Sequence, residues 1–387
     1  MTVPPDWPSE FPARVALVGE APAETETLLG RPFVGRAGKT LNGCLRQVGL
    51  SRWDCLVTNV FSSRLLGDDV ARIGIPRLEA ARLLREWEAA HATPEQDARA
   101  RAKRGDPVGQ HGAHPFRSHC LTPIAKGAYL EPGRVADELS RLRAEIERAA
   151  PNIVVALGGT ACWALLGLPG AGTVSRIRGA LTHEILTGRK ALASYHPAAV
   201  GRNPKLREFL LSDLARALEE CETASLVLDE RTLLIPEHPH EVRSFLLGCV
   251  SSGAPTAIDI ETTKGQIDCI GFAPSRTRAM CIPIFHPKHP GIHYWRTPEA
   301  ELEVINHISW FLATPTPKVW QYGSQYDIQW LWERWRAHTN GLYDDTRLMM
   351  HAMNPEQDKD LASIGGTYER LGPWKMMRKS ASSKRDD

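Results

Sequence analysis

Two acidic residues, Asp259 and Glu261, lie two positions apart in the run AIDIETT at 257–263. The run predicts a β-strand, and because successive side chains of a strand alternate between its faces, both carboxylates point to the same side. Neighbouring carboxylates repel each other unless cations bridge them. Two-metal hydrolysis of a phosphodiester uses such cations, and hard oxygen ligands favour Mg²⁺ or Mn²⁺. Taken alone, the pattern fits an ordinary edge strand equally well.

A second set of candidate residues follows apolar runs in the first half of the chain. The runs lie at 15–18, 55–59, 153–157 and 191–195, and amphipathic helical patterns separate them. Strands that are apolar throughout indicate a central parallel sheet covered on both faces, a three-layer α/β/α domain. In such sheets functional groups gather on the loops at the carboxyl ends of the strands.

The segments that follow these runs carry recognisable motifs. They are GEAPAETETLLGRPFVGRAG at 19–38, Thr58-Asn59-Val60, LGGTACWALLG at 157–167 and Tyr195-His196-Pro197-Ala198. In this order, and each at a predicted strand end, they resemble the uracil-DNA glycosylase superfamily. The likeness is to its family 4 branch and to the glycosylase-like domain of some phage DNA polymerases, and it spans about residues 12–222.

The resemblance implies a reaction and assigns roles to three residues. A glycosylase extrudes its base, at a cost of roughly a few kcal/mol, and holds it in a closed pocket. Phe33, in the PFVG segment, would stack on the base, a contact worth about 1–3 kcal/mol. Asn59 would read the edge of uracil through paired hydrogen bonds of its amide. His196 would stabilise the negative charge that remains on uracil when the glycosidic bond breaks.

Carboxylates and further pocket residues complete the implied site. Glu20 and Glu26 match the family's candidates for orienting water and favouring an oxocarbenium-like transition state. Ala21 and Arg202 are assigned to substrate binding from their places in or beside the matched motifs. Of the two carboxylates, Glu26 is the weaker match.

Each motif residue also has a plainer interpretation. Phe33 follows a proline and would then be a core residue, although the flanking Gly35 and Gly38 favour a pocket. Asn59 would cap a turn, and His196 would be a buried structural histidine before a proline. Their matched positions favour the functional interpretation of all three.

The cysteine pattern departs from family 4. Its members carry cysteines that bind an iron–sulfur cluster, and these lie near the N-terminus, after the Thr-Asn strand and before the next helix. Here the N-terminal segment has no cysteine, Ser62-Ser63-Arg64 follows the second strand, and only Cys120 matches a remnant. A single thiolate cannot hold a cluster, so we predict that none is bound. Ala23 also replaces a glycine of the first motif, which narrows backbone freedom beside the pocket.

The second half of the chain resembles the DnaQ-like (DEDD) 3′→5′ exonucleases, in particular the proofreading domain of family A DNA polymerases. Asp259 and Glu261 belong to its first motif, and Asp327 ends the second, WQYGSQYD at 320–327. The resemblance implies an RNase-H-like α/β exonuclease domain in which these carboxylates are catalytic and bind Mg²⁺ or Mn²⁺. No Tyr-x-x-x-Asp or His-x-x-x-x-Asp pattern follows Asp327. We therefore expect a C-terminally incomplete domain that lacks its third motif and holds metal weakly.

Length and patterning predict two domains. The 387 residues exceed one ordinary core, and we place the domains at 1–225 and 226–387. A polar insertion is predicted at about 64–130. Within it, the stretch 97–119 contains eight Arg, Lys or His residues. We interpret this stretch as solvated and partly disordered, with a contact to the DNA backbone as the alternative.

The overall composition indicates where the protein works. With 47 Lys and Arg against 45 Asp and Glu, any DNA-binding surface must be a local one. The eight cysteines include no C-x-x-C pair, which favours reduced thiols over a zinc ribbon or a disulfide scaffold. No signal pattern and no run of about 18 apolar residues occurs. We expect a cytoplasmic protein, in the bacterial host if phage-encoded, with no membrane partner.

Several functions remain open at this stage. The leading hypothesis is a phage-type replication or repair protein that binds DNA and excises uracil. An alternative is a non-catalytic DNA-binding or assembly module, an N-terminal part of a family A-type DNA polymerase, with a polymerase domain or replication proteins as partners. A third is a nuclease completed by a partner that supplies the missing carboxylate.

Overall fold

The computed structural model describes most of the chain. The described residues are 1–91, 114–263, 265–289, 291–357 and 359–369. Within them the chain divides into two compact units, Met1–Leu228 together with residues from Ala362 on, and Asp229–Leu361. Among these residues no helix is long and apolar enough to cross a membrane.

The first unit is built on a sheet with the strand order β2-β1-β3-β5-β4. Its strands are β1 Val15–Gly19, β2 Cys55–Asn59, β3 Ile153–Leu157, β4 Leu181–His183 and β5 Lys190–Ser194. Strands β2, β1, β3 and β5 pair in parallel, and β4 is antiparallel to β5. Every residue of the four parallel strands in this described sheet is buried, as expected when helices cover both faces.

Helices pack on both faces of this sheet. They are α1 Glu24–Leu29, α2 Arg36–Val48, α3 Arg77–Ala90, α4 Arg117–Leu121, α5 Pro132–Ala149, α6 Gly159–Leu166, α7 Val174–Ile177, α8 Pro197–Arg202 and α9 Leu206–Glu220. On one face Leu139 of α5 and Trp163 of α6 belong to the core. On the other, Leu41 of α2 and Leu214 of α9 do. The predicted three-layer α/β/α domain is therefore confirmed.

Some local predictions need correction. The fourth predicted strand ends at Ser194, so Tyr195 lies in the loop beyond it. The polar segment at 64–130 is largely folded where it is described: α3 packs against α4, and Phe116 and Cys120 are buried in the core. Because these apolar residues lie among many polar ones, the sequence pattern did not predict the short helix α4. Residues 92–113, with most of the basic stretch, lie outside the described residues.

The second unit contains a sheet with the order β11-β10-β7-β8-β9-β6. Its strands are β6 Thr232–Leu234, β7 Thr256–Thr263, β8 Gln266–Ala273, β9 Arg278–Pro283, β10 Lys318–Trp320 and β11 Leu342–Asp345. Strands β7, β8 and β9 are antiparallel neighbours, and β10 and β11 run parallel to β7 on its other side. This is the predicted RNase-H-like arrangement.

Helices complete the second unit. They are α10 Pro239–Ser252, α11 Pro298–Ala313, α12 Asp327–Trp335 and α13 Thr346–Met353. Leu246 of α10, Ile308 of α11 and Leu331 of α12 pack into the core of the sheet. The edge strand β6 was not predicted, because its three residues are mostly exposed and carry no alternation of buried and exposed side chains.

The segment after the second unit returns to the first, whereas the sequence placed it in the second domain. It begins with α14, Leu361–Tyr368. Arg178 donates from Nη1 to Thr367 Oγ1 at 2.9 Å, and Arg216 donates from Nη2 to Thr367 O at 2.9 Å. A Cβ added to Gly366 would lie 2.4 Å from Arg178 O. This contact therefore requires a residue without a side chain.

We expect Gly366→Val to release this segment from the first unit, because the new side chain would overlap the Arg178 carbonyl. Hydrogen exchange followed by mass spectrometry should show amides of 362–369 exchanging at least about tenfold faster. Gly248→Ala, where an added Cβ meets nothing within 4 Å, is the control and should leave the segment protected. Unchanged exchange in Gly366→Val would contradict the docking contact.

Candidate functional site

A cavity of about 770 Å³ opens at the carboxyl ends of the parallel strands in the first unit. Its lining takes one short segment from the end of each strand. These segments contain Glu20 after β1, Asn59 at the end of β2, Gly158 after β3 and His196 after β5. Because the strands are parallel, segments that are distant in sequence meet at one edge. Each of the four motifs contributes to this one cavity.

Phe33 lies in the loop between α1 and α2 and is held by close backbone packing. Its φ of 52° is in the left-handed region, which is uncommon for a bulky residue. A Cβ on Gly38 would lie 1.9 Å from Phe33 O, and one on Gly19 would lie 2.4 Å from Phe33 Cζ. The ring centroid is 5.7 Å from that of His196. The two glycines thus allow the ring to form a wall of the cavity.

Glu26 lines the cavity but directs its carboxylate at the Phe33 loop. The side chain is buried, and Oε1 accepts hydrogen bonds from Val34 N at 3.0 Å and Gly35 N at 2.7 Å. Both amides directly follow Phe33. This geometry favours a role for Glu26 in holding the loop over the predicted role at the sugar.

Asn59 ends β2 and is only 6% exposed. Its carbonyl accepts a hydrogen bond from Arg141 Nη2 at 2.8 Å, which fixes the backbone at the strand end. Its Oδ1 lies 2.5 Å from where a Cβ on Gly19 would stand. Gly19 therefore makes room for both the Phe33 ring and the Asn59 amide, which face the cavity together.

His196 caps α8, and its hydrogen bonds define its tautomer. Nδ1 accepts from Ala198 N at 3.2 Å, so we assign the proton of the neutral ring to Nε2. Burial, with a smaller effect of the Arg202 charge, lowers the pKa of His196 to about 4. A Cβ on Gly158 would lie 2.9 Å from His196 Cβ, so a glycine is needed there too. At neutral pH the cavity thus contains an uncharged imidazole with Nε2–H as donor.

Glu20 is a cavity carboxylate whose pKa is raised. Burial raises its pKa, with Asp69 adding to the rise, while Thr160 and Arg202 oppose it. The Thr160 hydroxyl, in the first turn of α6, donates to Glu20 Oε2. The sequence did not predict Thr160 as the hydrogen-bond partner of Glu20. The LGGT motif that contains Thr160 was the one feature of the sequence that pointed to it.

The remaining predicted residues of the first motif and of α8 also border the cavity. Ala21, Ala23 and Arg202 are among its lining residues. Ala23 has φ −93° and ψ −168°, an extended conformation that any residue adopts. The expected narrowing of backbone freedom at Ala23 therefore has no structural consequence here. Arg202 is exposed in the last turn of α8, and its charge acts on both Glu20 and His196.

Cys120 lies outside the cavity, in the hydrophobic core. Its Sγ is 3.9 Å from His114 Nδ1, and burial raises the pKa of the thiol to about 12. Within the described ranges, no group of three or more His, Cys, Asp or Glu side chains is arranged to hold a metal. The N-terminal segment is instead joined to the strand-end loop by a β-bridge between Thr2 and Ser63. The residues present do not fit an iron–sulfur cluster.

The predicted exonuclease carboxylates are neighbours in the second unit. Asp259 and Glu261 share the exposed face of β7, and Asp327 is buried at the start of α12, where Oδ1 accepts from Ile260 N at 3.2 Å. Burial raises the pKa of Asp327 to about 6, with the charges of Asp259 and Asp345 adding to the rise. Burial, with Glu261, also raises the pKa of Asp259.

The spacing of these carboxylates bears on the predicted metal site. Among the described residues, no group of three or more His, Cys, Asp or Glu side chains is placed to hold a metal ion, and Asp259, Glu261 and Asp327 are included in that finding. Asp345 Oδ1 accepts from Arg347 N at 2.9 Å, which caps α13, and the charge of Asp345 also acts on Asp327. Binding of Mg²⁺ or Mn²⁺ at these carboxylates stays a prediction.

The first unit therefore belongs to the class of α/β domains with a ligand cavity at the strand ends, here one with an aromatic ring, an amide, an imidazole and a carboxylate. Comparison with known proteins defines it further. Residues 8–219 match the model of the uracil DNA glycosylase superfamily. This match covers more than half of the chain, and the chain belongs to that superfamily.

Several relatives are type-4 uracil-DNA glycosylases. The type-4 uracil-DNA glycosylase of Archaeoglobus fulgidus is 29% identical over 213 residues, which cover 54% of this chain and 77% of the relative. The corresponding protein of Thermotoga maritima is 27% identical over 206 residues, 53% of this chain and 76% of the relative. That of Pyrobaculum aerophilum is 46% identical over 55 residues, 14% of this chain and 28% of the relative.

Among solved structures, the chain is similar to the exonuclease domain of EXD2. The structure soaked in Mn and GMP has a TM-score of 0.24 and 16% identity, covering 32% of this chain and 61% of that chain. The structure soaked in Mg and dGMP has the same TM-score and identity, covering 40% of this chain and 76% of that chain. The RNase-H-like assignment of the second unit rests on its own strand order.

We expect Gly38→Ala to disrupt the cavity, because the new methyl group would overlap the Phe33 carbonyl. Overpacking of this kind costs about 1–3 kcal/mol. Gly43→Ala in the same helix is the matched control, since a Cβ there meets nothing within 4 Å. It should be neutral or stabilise by about 0.5–1 kcal/mol. Urea unfolding measures both. Equal stability of the two variants would contradict the close approach.

We expect Asp327→Asn to stabilise the protein at pH 8 and to be neutral near pH 4. The folded-state pKa of about 6 exceeds the unfolded value of about 3.9, so the protonated form is favoured on folding. The protonated Asp327 therefore leaves the free energy of unfolding undiminished below pH about 4, and this stability is lost as pH rises through about 6. The amide removes the buried charge, with a gain of up to about 3 kcal/mol at pH 8.

Urea unfolding at both pH values tests the Asp327 prediction. The control is Asp229→Asn, which alters an aspartate with 47% side-chain exposure and should differ little from the wild type at either pH. A destabilisation by Asp327→Asn at pH 8, or a gain of equal size at both pH values, would be incompatible with a raised pKa.

Proposed function

We propose that the first unit is a uracil-DNA glycosylase that hydrolyses the N-glycosidic bond between uracil and deoxyribose. The observation that carries the proposal is the meeting of Phe33, Asn59, His196 and Glu20 in one cavity. Membership of the superfamily and the type-4 relatives support it. A cavity of this size lies in the range of small-molecule sites and accommodates an extruded base.

Recognition of the base falls to Phe33 and Asn59. The Phe33 ring stacks on the flipped base and offsets part of the unstacking cost, by about 1–3 kcal/mol. The Asn59 side chain is buried and provides both a donor and an acceptor, which match the alternating edge of uracil. Stacking on Phe33 is possible for any base, so the selectivity for uracil depends on the side-chain amide of Asn59.

His196 stabilises the leaving group. When the bond between C1′ and N1 breaks, its electron pair remains on the uracil ring, and Nε2–H donates a hydrogen bond to the developing oxyanion. Because the pKa of His196 is lowered to about 4, the ring is neutral before the reaction and acts as a hydrogen-bond donor. The low-dielectric surroundings that lower this pKa also strengthen the hydrogen bond.

Glu20 acts on the sugar side. Its carboxylate orients the water that attacks C1′, accepts a proton from it and stabilises the positive charge of the oxocarbenium-like transition state. The proton then passes to the uracil anion. Thr160 donates to one carboxylate oxygen, which leaves the other for water.

The second unit is proposed to be a DNA-binding module of a phage-type replication or repair protein. Its RNase-H-like strand order and the motifs around Asp259 and Asp327 support a nucleic-acid role. The absence of a three-donor set among the described side chains favours a non-catalytic module, and no nuclease step is assigned to it. A DNA polymerase as partner rests on the motif resemblance alone.

We expect the full chain to release uracil from single- and double-stranded oligonucleotides in EDTA, leaving alkali-labile abasic sites. Asn59→Ala and His196→Ala should each lower the single-turnover rate at least about 100-fold, comparable to the loss of an oxyanion donor. The controls Asn340→Ala and His183→Ala alter exposed residues outside the cavity and should retain wild-type rates. Wild-type rates in the two cavity variants would refute the assignment.

The same assay should show no loss of rate as pH rises from 6 to 8 and a decline toward pH 4. As pH falls, Glu20 takes up a proton first because its pKa is raised, and His196 becomes charged near pH 4. A His196 that acted as a cationic acid with an ordinary pKa of about 6.5 would instead lose activity as pH rises from 6 to 8. Single-turnover rates across pH 4–9 distinguish the two forms.

A further inference from the structure

Arg52 makes an unusual set of contacts with the loop that presents Phe33. It begins the short 3₁₀ turn Arg52–Asp54 before β2. Its Nη2 donates to Pro32 O at 2.6 Å, and its Nη1 donates to Phe33 O at 3.3 Å and to Asn42 Oδ1 at 3.1 Å. One guanidinium therefore holds consecutive carbonyls of this loop and a side chain of α2.

Asp6 fixes the guanidinium in place. Its Oδ2 accepts from Arg52 Nη2 at 2.6 Å and from Nε at 3.2 Å, and both side chains are only 11% exposed. Asp6 is itself attached to β2, because its amide and carbonyl each pair with the backbone of Val57 at 2.9 Å. Arg52 thus connects the Phe33 loop to the central sheet through a planar, pre-organised side chain.

The loop needs such support on both sides. Phe33 adopts a positive φ, a conformation that persists in a bulky residue only when its surroundings impose it. Glu26 accepts hydrogen bonds from the amides that follow Phe33, and Arg52 donates to the carbonyls at and before it. A buried anion and a cation therefore fix the peptide planes around the ring from opposite directions.

We propose that Arg52, held by Asp6, is a positioning residue for uracil excision that keeps the Phe33 ring in its stacking orientation. The inference rests on the proposed glycosylase function of the same cavity. Arg52 is absent from the residues that line the cavity, so it acts through Phe33 and not on the base. Without it, the carbonyls of Pro32 and Phe33 lose their partner and the ring is free to turn away from the base.

A double-mutant cycle tests this coupling. Arg52→Ala should lower the single-turnover rate of uracil excision by at least about tenfold in the wild-type background. In a Phe33→Ala background the same change should lower it less than about twofold, because there is no ring left to position. Arg52→Lys should recover part of the rate, since a lysine can donate to one carbonyl. Equal losses in both backgrounds would overturn the proposal.

A control separates positioning from general destabilisation. Arg14→Ala removes another arginine of the first unit, one that is 42% exposed and paired with Glu222 at 2.6 Å. It should leave the rate unchanged. The thermal midpoint of each variant is measured in parallel. A loss of rate in Arg52→Ala that disappears when the assay temperature is lowered well below its midpoint would assign Arg52 to stability alone and overturn the proposal.

A spectroscopic measurement of the ring at position 33 tests the positioning role of Arg52 without relying on uracil excision. A fluorine label on the ring at position 33 reports its surroundings by ¹⁹F NMR. Arg52→Ala and Asp6→Asn should shift this resonance toward the position of a solvent-exposed ring, and Arg14→Ala should not. If the wild type releases no uracil, the proposed function fails while the resonance still tests the positioning. An unchanged resonance in Arg52→Ala would refute it.

Discussion

The close approach of the Phe33 backbone to Gly38 is the contact on which the site depends. A Cβ at Gly38 would lie within 1.9 Å of the Phe33 carbonyl, so the left-handed turn at Phe33 and the start of α2 are compatible only with glycine there. Gly19, at the end of β1, leaves space for the ring in the same way. Because Gly38 and Gly19 have no side chain, the aromatic ring of Phe33 fits beside His196. The charged groups of Glu26 and Arg52 hold the loop around the ring.

Burial has opposite effects on the pKa values of His196 and Glu20, which both line the cavity. It lowers the pKa of His196 to about 4, which keeps the imidazole neutral, and it raises the pKa of Glu20. The same desolvation therefore provides an uncharged hydrogen-bond donor and a more basic carboxylate in one cavity. The charge of Arg202 lowers the pKa of both groups, so it adds to the shift of His196 and opposes the shift of Glu20.

The fold was largely predictable, because the apolar runs of the parallel strands and the alternation at 257–263 are local signals. The cavity was predictable because parallel strands bring their carboxyl ends together. Long-range contacts such as the bond of Thr160 to Glu20 leave no local pattern, since the partners are 140 positions apart. The hydrogen bonds of Arg52 to the Phe33 loop were not predicted for the same reason. The hydrogen bonds of backbone amides to Glu26 could not be deduced from its place in the motif.

Excision of uracil by the cavity of the first unit is the activity that we propose for this protein. The most direct measurement is mass-spectrometric detection of free uracil released from a single-uracil oligonucleotide by the full chain in EDTA. If the cavity excises uracil, free uracil appears in amounts equal to the abasic sites formed, and Asn59→Ala abolishes its release. Recovery of intact, uracil-containing DNA from a protein that binds it would refute excision and leave the first unit as a binding module.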